Sequence, residues 1–305
     1  MALAESGFES GAELGPLVVL FHGYTNGPKD MESIESLVNT RLRGARVIKP
    51  QMPLSRWSTA DPNEVVLSLL EEIGNEWRVH GRGDIIFIGH SIGGLLARKV
   101  FVVACGPTKD APFSNVLNLT EAQPWAARVK RIILLAGMNR GWEVSYHFSL
   151  KRAIVWTLGV WIANFIALVS SRPPLMLHMR RGASFLTQLR LEWLAMRKHS
   201  SVRGTGGALT VQLLGSTDDV VSPEDNIDLI SGRDFIYLDV PKTSHVNIIQ
   251  VDPHFTEKDS RSGILFDALT LDLDALNERA VAISDQPLPN EEPSERCDIC
   301  CPRYS

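Results

Sequence analysis

Cysteine is scarce, with four in 305 residues, and this excludes a small scaffold held together by disulfides. Cys105 stands alone in an apolar segment, while Cys297, Cys300 and Cys301 crowd the C-terminal end. Those three thiols have no nearby histidine and fall short of the roughly four ligands of a structural zinc, so no metal is implied. Basic charge is not in excess: the formal net charge is −4, which argues against nucleic acid as a partner. The segment Met1–Gly15 lacks the positive start and unbroken apolar run of a secretory signal, and the compartment is read as reducing and cytoplasmic. The apolar stretch Ala153–Val169, interrupted by Thr157 and Asn164, is shorter than the ~20 residues of a bilayer-crossing helix. No internal repeat is visible.

What is present is an ordinary globular composition, 44% hydrophobic and 22% charged, with material for a large core. Short apolar runs recur at Leu17–Phe21, Val47–Ile48, Ile85–Ile88, Ile132–Leu135, Leu209–Leu214 and Phe235–Val240. Nearly unbroken runs of this length suit strands buried on both faces. Between them the pattern predicts helices over Met31–Leu42, Asn63–Trp77, Gly93–Ala104 and Pro223–Ile230, with Asp61-Pro62 as a helix start. Strand–helix alternation predicts an α/β fold with a mostly parallel, doubly wound sheet.

That rhythm breaks between Met138 and Arg203, a helical stretch with ten Lys/Arg and two Glu, a formal +8 that leaves −12 for the rest of the chain. Ala153–Val169 is apolar on all faces, so a helix there must be buried or touch lipid. The expected organisation is a core of residues 1–137 and 204–284, an inserted helical cap at 138–203 and a flexible, proline-rich acidic tail at 285–305. Asp267–Leu276 is expected in the closing helix.

The strongest chemical signal is Gly89-His90-Ser91-Ile92-Gly93, set between the apolar run ending at Ile88 and the helical Gly94-Leu95-Leu96-Ala97-Arg98. Strand, abrupt turn and helix are the context in which G-x-S-x-G presents a nucleophilic serine. The flanking glycines let the turn close, and the backbone N–H of Ile92 lies at a helix N-terminus, where a developing oxyanion would be held. A serine hydroxyl needs a base and an orienting acid. Asp218 and Asp219 follow one apolar run and His245 follows the last, at the strand ends where open α/β sheets build sites. His90 and His22 are read as packing or bracing residues, and His254 as exposed.

These stretches, together with Phe21-His22-Gly23-Tyr24-Thr25 and Ser244-His245-Val246, resemble the α/β-hydrolase superfamily, and within it the bacterial carboxylesterase and monoacylglycerol-lipase branch. The resemblance implies Ser91 as nucleophile, His245 as general base and Asp218, in preference to Asp219, as triad acid. It also implies the backbone N–H groups of Tyr24 and Ile92 as oxyanion donors, and a cap whose Trp142, Trp156, Trp161 and Phe165, with Trp193, line an acyl pocket. The chain departs from that pattern in its short N-terminal segment and in Ala136–Gly141, which matches the Thr-Pro-Asn-Arg-Gly turn of some lipases without its Thr-Pro. The expected function is cleavage of a small-molecule acyl ester, with no cofactor. The alternatives are a thioesterase or amidase using the same three residues, and a non-catalytic protein that binds a ligand under its cap. The basic cap further suggests peripheral contact with an anionic membrane.

Overall fold

The computed structural model describes residues 15–114, 116–142, 172–218, 234–255 and 257–281. The apolar runs form strands β1 (Leu17–Phe21), β2 (Arg46–Ile48), β3 (Ile85–His90), β4 (Val129–Leu135), β5 (Leu209–Gly215) and β6 (Phe235–Val240). They make one sheet in the order β2-β1-β3-β4-β5-β6, and every pairing is parallel. The helices are α1 (Glu32–Arg41), α2 (Pro62–Val79), α3 (Ile92–Ala104), α4 (Leu175–His178), α5 (Ser184–Lys198), α6 (Ser200–Arg203), α7 (Arg261–Thr270) and α8 (Leu273–Asn277).

Side chains alternate between the two faces of a strand, so an unbroken apolar run feeds two cores at once. Leu17, Val19, Phe21, Ile85 and Phe87 enter one buried cluster with residues of α2, α3 and α5. Val18, Leu20, Ile86 and Ile88 enter a second cluster with Ile34, Leu37 and Val38 of α1 and Ile264, Leu265 and Ala268 of α7. Helices therefore cover both faces, which is the doubly wound α/β architecture expected of the pattern.

Local signals explain where the elements begin. The Asp61 side chain accepts the Asn63 N–H at 2.7 Å, and Pro62 opens α2 where its missing N–H costs nothing. A 3-10 turn over Pro28–Met31 precedes α1, so the α-helix starts one residue later than the pattern suggested. The expected closing helix at Asp267–Leu276 is corrected to two helices. α7 ends at Thr270, and the Asp272 side chain accepts the Ala275 N–H at 2.9 Å to cap a new start for α8. The expected helix at 223–230 and the apolar stretch 153–169 lie outside the described residues. Residues 172–203 contribute α4, α5 and α6 and no strand.

Candidate active site

Ser91 sits on the bend between β3 and α3 with φ 53° and ψ −121°. A non-glycine residue there is strained, and such strain persists only where the surroundings enforce it. They do so by close approach. A Cβ on Gly93 would lie 2.3 Å from the Phe21 carbonyl oxygen, and one on Gly89 would lie 2.6 Å from Gly94 Cα. The Ser91 N–H donates to the Leu135 carbonyl at 3.0 Å, tying the bend to the end of β4.

Two further strand ends bring the partners. After β5 the Thr217 N–H donates to the Thr243 carbonyl at 2.9 Å, which docks the Asp218 turn on the loop that follows β6. Gly215 permits this approach, since a Cβ there would meet the Thr243 carbonyl oxygen at 2.5 Å. His245 Nδ1 then lies 3.0 Å from Asp218 Oδ2, and His245 Nε2 lies 2.9 Å from Ser91 Oγ. The carboxylate can only accept, so Nδ1–H donates to Asp218 and Nε2 is left to accept from the serine hydroxyl. All three side chains are buried, where such bonds are stronger than in water.

The neighbouring histidines hold this arrangement from behind. The His90 Nε2–H donates to the His245 carbonyl at 2.9 Å, which positions His245. Burial first, and the nearby His245 second, push His90 down to about 4, so it stays neutral near pH 7. His22 accepts the Met52 N–H at 3.2 Å, and its Nδ1 donates to the Gly23 carbonyl at 3.0 Å. Burial also lowers the His22 pKa. Gly23 abuts the bend, with its hypothetical Cβ 3.5 Å from Ser91 Cβ, and Tyr24 is the next residue along the chain. Among the described residues neither the Tyr24 nor the Ile92 N–H is taken up by a hydrogen bond. The Tyr24 hydroxyl donates to the Arg56 carbonyl at 2.6 Å and thereby fixes the loop.

One residue that the pattern did not single out reaches the serine: Met138, whose sulfur lies 3.3 Å from Ser91 Oγ. Its turn is held by a buried polar chain. Arg98 Nη1 donates to Asn139 Oδ1 at 3.0 Å, Asn139 Nδ2 donates to Gln212 Oε1 at 2.5 Å, and Gln212 Nε2 donates to the Gly137 carbonyl at 3.1 Å. A glutamine in the apolar run of β5 and an arginine in the apolar α3 were the available signals, because buried polar groups require partners.

The aromatic candidates fall differently. Trp142 is buried, with its indole N–H donating to the Met176 carbonyl at 2.7 Å. Trp193 packs under α3, with the Arg98 guanidinium 4.7 Å from its ring centroid. Trp156, Trp161, Phe165 and Asp219 lie outside the described residues, and His254 is exposed as expected.

The parallel sheet with helices on both faces agrees with sequence comparison. The chain belongs to the alpha/beta hydrolase family, whose model matches residues 18–257. No curated protein sequence matches it. Among solved structures it resembles phospholipase PlaB from Legionella pneumophila, in complex with thio-NAD, at 12% identity and TM-score 0.55. That match covers 87% of this chain and 62% of the phospholipase. It also resembles a soluble variant of monoglyceride lipase from Saccharomyces cerevisiae with a substrate analogue, at 13% identity and TM-score 0.50, covering 88% of both chains. A third is the Bacillus licheniformis lipase BlEst2, at 14% identity and TM-score 0.48, covering 80% of this chain and 90% of that one. At these identities the likeness is one of fold.

Proposed function

We propose that the protein is a serine hydrolase that cleaves carboxylic esters of acyl, lipid-like substrates through Ser91, His245 and Asp218. The observation that carries this reading is the unbroken chain of hydrogen bonds, 2.9 Å and then 3.0 Å, behind a hydroxyl on a strained bend. In the first step His245 Nε2 takes the Ser91 proton as Oγ attacks the ester carbonyl carbon. The carbonyl electron pair moves onto its oxygen, where the N–H groups of Tyr24 and Ile92 hold it. Collapse expels the alcohol, which leaves with the proton from His245. Water then gives a proton to His245 and attacks the acyl-enzyme, releasing the acid and restoring Ser91. Asp218 keeps the imidazole in the tautomer that accepts from serine and stabilises the imidazolium.

A fluorophosphonate probe tests the assignment directly. It is expected to label Ser91 in the parent protein and to leave Ser91→Ala unlabelled. On p-nitrophenyl esters Asp218→Asn should lower kcat by about 10⁴-fold, because asparagine favours the wrong imidazole tautomer. A Ser91→Ala variant that turns over esters as fast as the parent removes the proposal.

A further inference from the structure

The Ser91 hydroxyl is covered. Ser91, His245 and Met138 are 5%, 6% and 4% exposed, and Oγ meets His245 Nε2 at 2.9 Å and the Met138 sulfur at 3.3 Å. A carbonyl carbon poised for attack has to lie about 3–3.5 Å from Oγ, the distance the sulfur already holds. Substrate therefore reaches Oγ where a covering group gives way. His245 is held through its ring by Asp218 and through its carbonyl by His90.

The turn under Met138 is held as firmly. The Ala136 N–H donates to the Leu213 carbonyl at 3.1 Å, Gln212 Nε2 donates to the Gly137 carbonyl at 3.1 Å, and the Gly141 N–H donates to the Met138 carbonyl at 2.8 Å. Asn139, next along, bonds to both Arg98 and Gln212. What can move is the Met138 side chain, an unbranched thioether with three rotatable bonds. Its contact with the serine is easily given up, since a thioether is a weak acceptor and the one hydroxyl proton goes to Nε2.

The chemistry of the step says what takes its place. A carbonyl carbon at Oγ carries three groups. Its oxygen turns to the N–H groups of Tyr24 and Ile92, and the leaving oxygen has to reach His245 Nε2, which returns the proton. The acyl carbon is left with the remaining side. The sheet places Met138 there: β4, which leads into Met138, flanks β3 on the side away from β1, which leads into Tyr24. The α-carbon is one bond from the carbonyl, so its substituents fall in the packed space around Oγ, where even one added methyl group is felt. Carbons further along the chain lie beyond it.

We propose that Met138 selects the acyl group: its side chain swings aside for an acyl chain unbranched at the α-carbon and obstructs one that is branched there. The substrate class so named is the ester of a straight-chain acid, and it rests on the esterase reading above.

The test compares p-nitrophenyl butanoate with p-nitrophenyl 2-methylbutanoate, each rate divided by that of the same ester with hydroxide to remove intrinsic reactivity. The full-length parent, Met138→Ala and Met138→Leu are assayed, with folding checked by thermal melting. The parent is expected to favour the straight chain in kcat/KM by about tenfold or more, the scale on which a pocket feels one methylene. Met138→Ala should remove most of that preference, chiefly by speeding the branched ester. Met138→Leu, which keeps the bulk without the sulfur, should retain it. Equal kcat/KM for the two esters in the parent, or a preference that Met138→Ala keeps, overturns the proposal. So does a preference lost equally in Met138→Leu, because the sulfur and not the bulk would then be the cause. If Met138→Ala does not fold, the same comparison in Met138→Val, which also lacks an atom in the sulfur's place, decides. Fluorophosphonate labelling of Ser91 with a preference that Met138→Ala leaves intact sinks the assignment of Met138 alone, whereas an unlabelled Ser91 sinks the esterase reading beneath it.

Discussion

At the scale of single residues His90 shows how one side chain can serve both the fold and the site. Its Nε2–H holds the carbonyl of His245, and its Nδ1 faces Gly23, where a Cβ would come within 2.8 Å. Burial lowers its pKa from 6.5 to about 4. Between those values the unfolded chain binds a proton that the folded protein refuses. Unfolding then takes up a proton, so stability is full above pH 6.5 and falls as pH drops towards 4. The loss expected from His90 is on the order of 3 kcal/mol, and His22, lowered by burial as well, acts in the same direction. Urea denaturation between pH 4 and 7 should show this slope, and His90→Gln should flatten it while keeping a donor near the His245 carbonyl. A slope that His90→Gln leaves unchanged would show that His90 is not its source. The motif around Ser91 placed His90 beside the nucleophile, but the 155 residues separating it from its hydrogen-bond partner hid the bond from any local pattern.

At the scale of elements the site depends on how α3 is anchored. Lys99 of α3 donates to Glu192 of α5 at 2.5 Å, with both side chains almost fully buried. The ammonium also lies 5.9 Å and 5.7 Å from the ring centroids of Phe113 and Phe185. Burial pushes Lys99 down and Glu192 up, and each is opposed by the charge of the other. Breaking such a pair leaves an uncompensated charge in the interior, so Glu192→Ala should destabilise the protein by about 3–5 kcal/mol. Replacing both partners, as in Lys99→Met/Glu192→Leu, should restore most of that loss. Chemical denaturation of the two variants decides the matter, and equal losses in both would show that the charges are not the cause. Periodicity made α3 legible as a helix, because its apolar residues occupy every face. It did not reveal that two charged residues 93 positions apart meet inside the core, since a lone lysine or glutamate in a helix ordinarily points to solvent.

Over the whole molecule charge is segregated, with a formal +8 between Met138 and Arg203 against −12 elsewhere. Among the described residues no helix is long and apolar enough to cross a membrane. A basic, aromatic-rich segment of this composition is expected to bring the protein to anionic lipid surfaces through electrostatic attraction that salt screens. Co-sedimentation should show binding to anionic vesicles, little binding to neutral ones, and release at high ionic strength. Equal binding to both, or to neither, would leave the charge asymmetry without a membrane role.

Local pattern alone suffices for the sheet, the sharp bend and the order serine, aspartate, histidine. Apolar runs, paired glycines and turn residues act over a few positions, and each carries its physical cause within itself. The sulfur against Ser91 and the hydrogen bond from His90 to the His245 carbonyl have no such local cause. Met138 and His90 take their places from chain segments that approach only once strands β3 to β6 are aligned. Contacts between distant segments depend on packing geometry, and that geometry exists only in the folded chain.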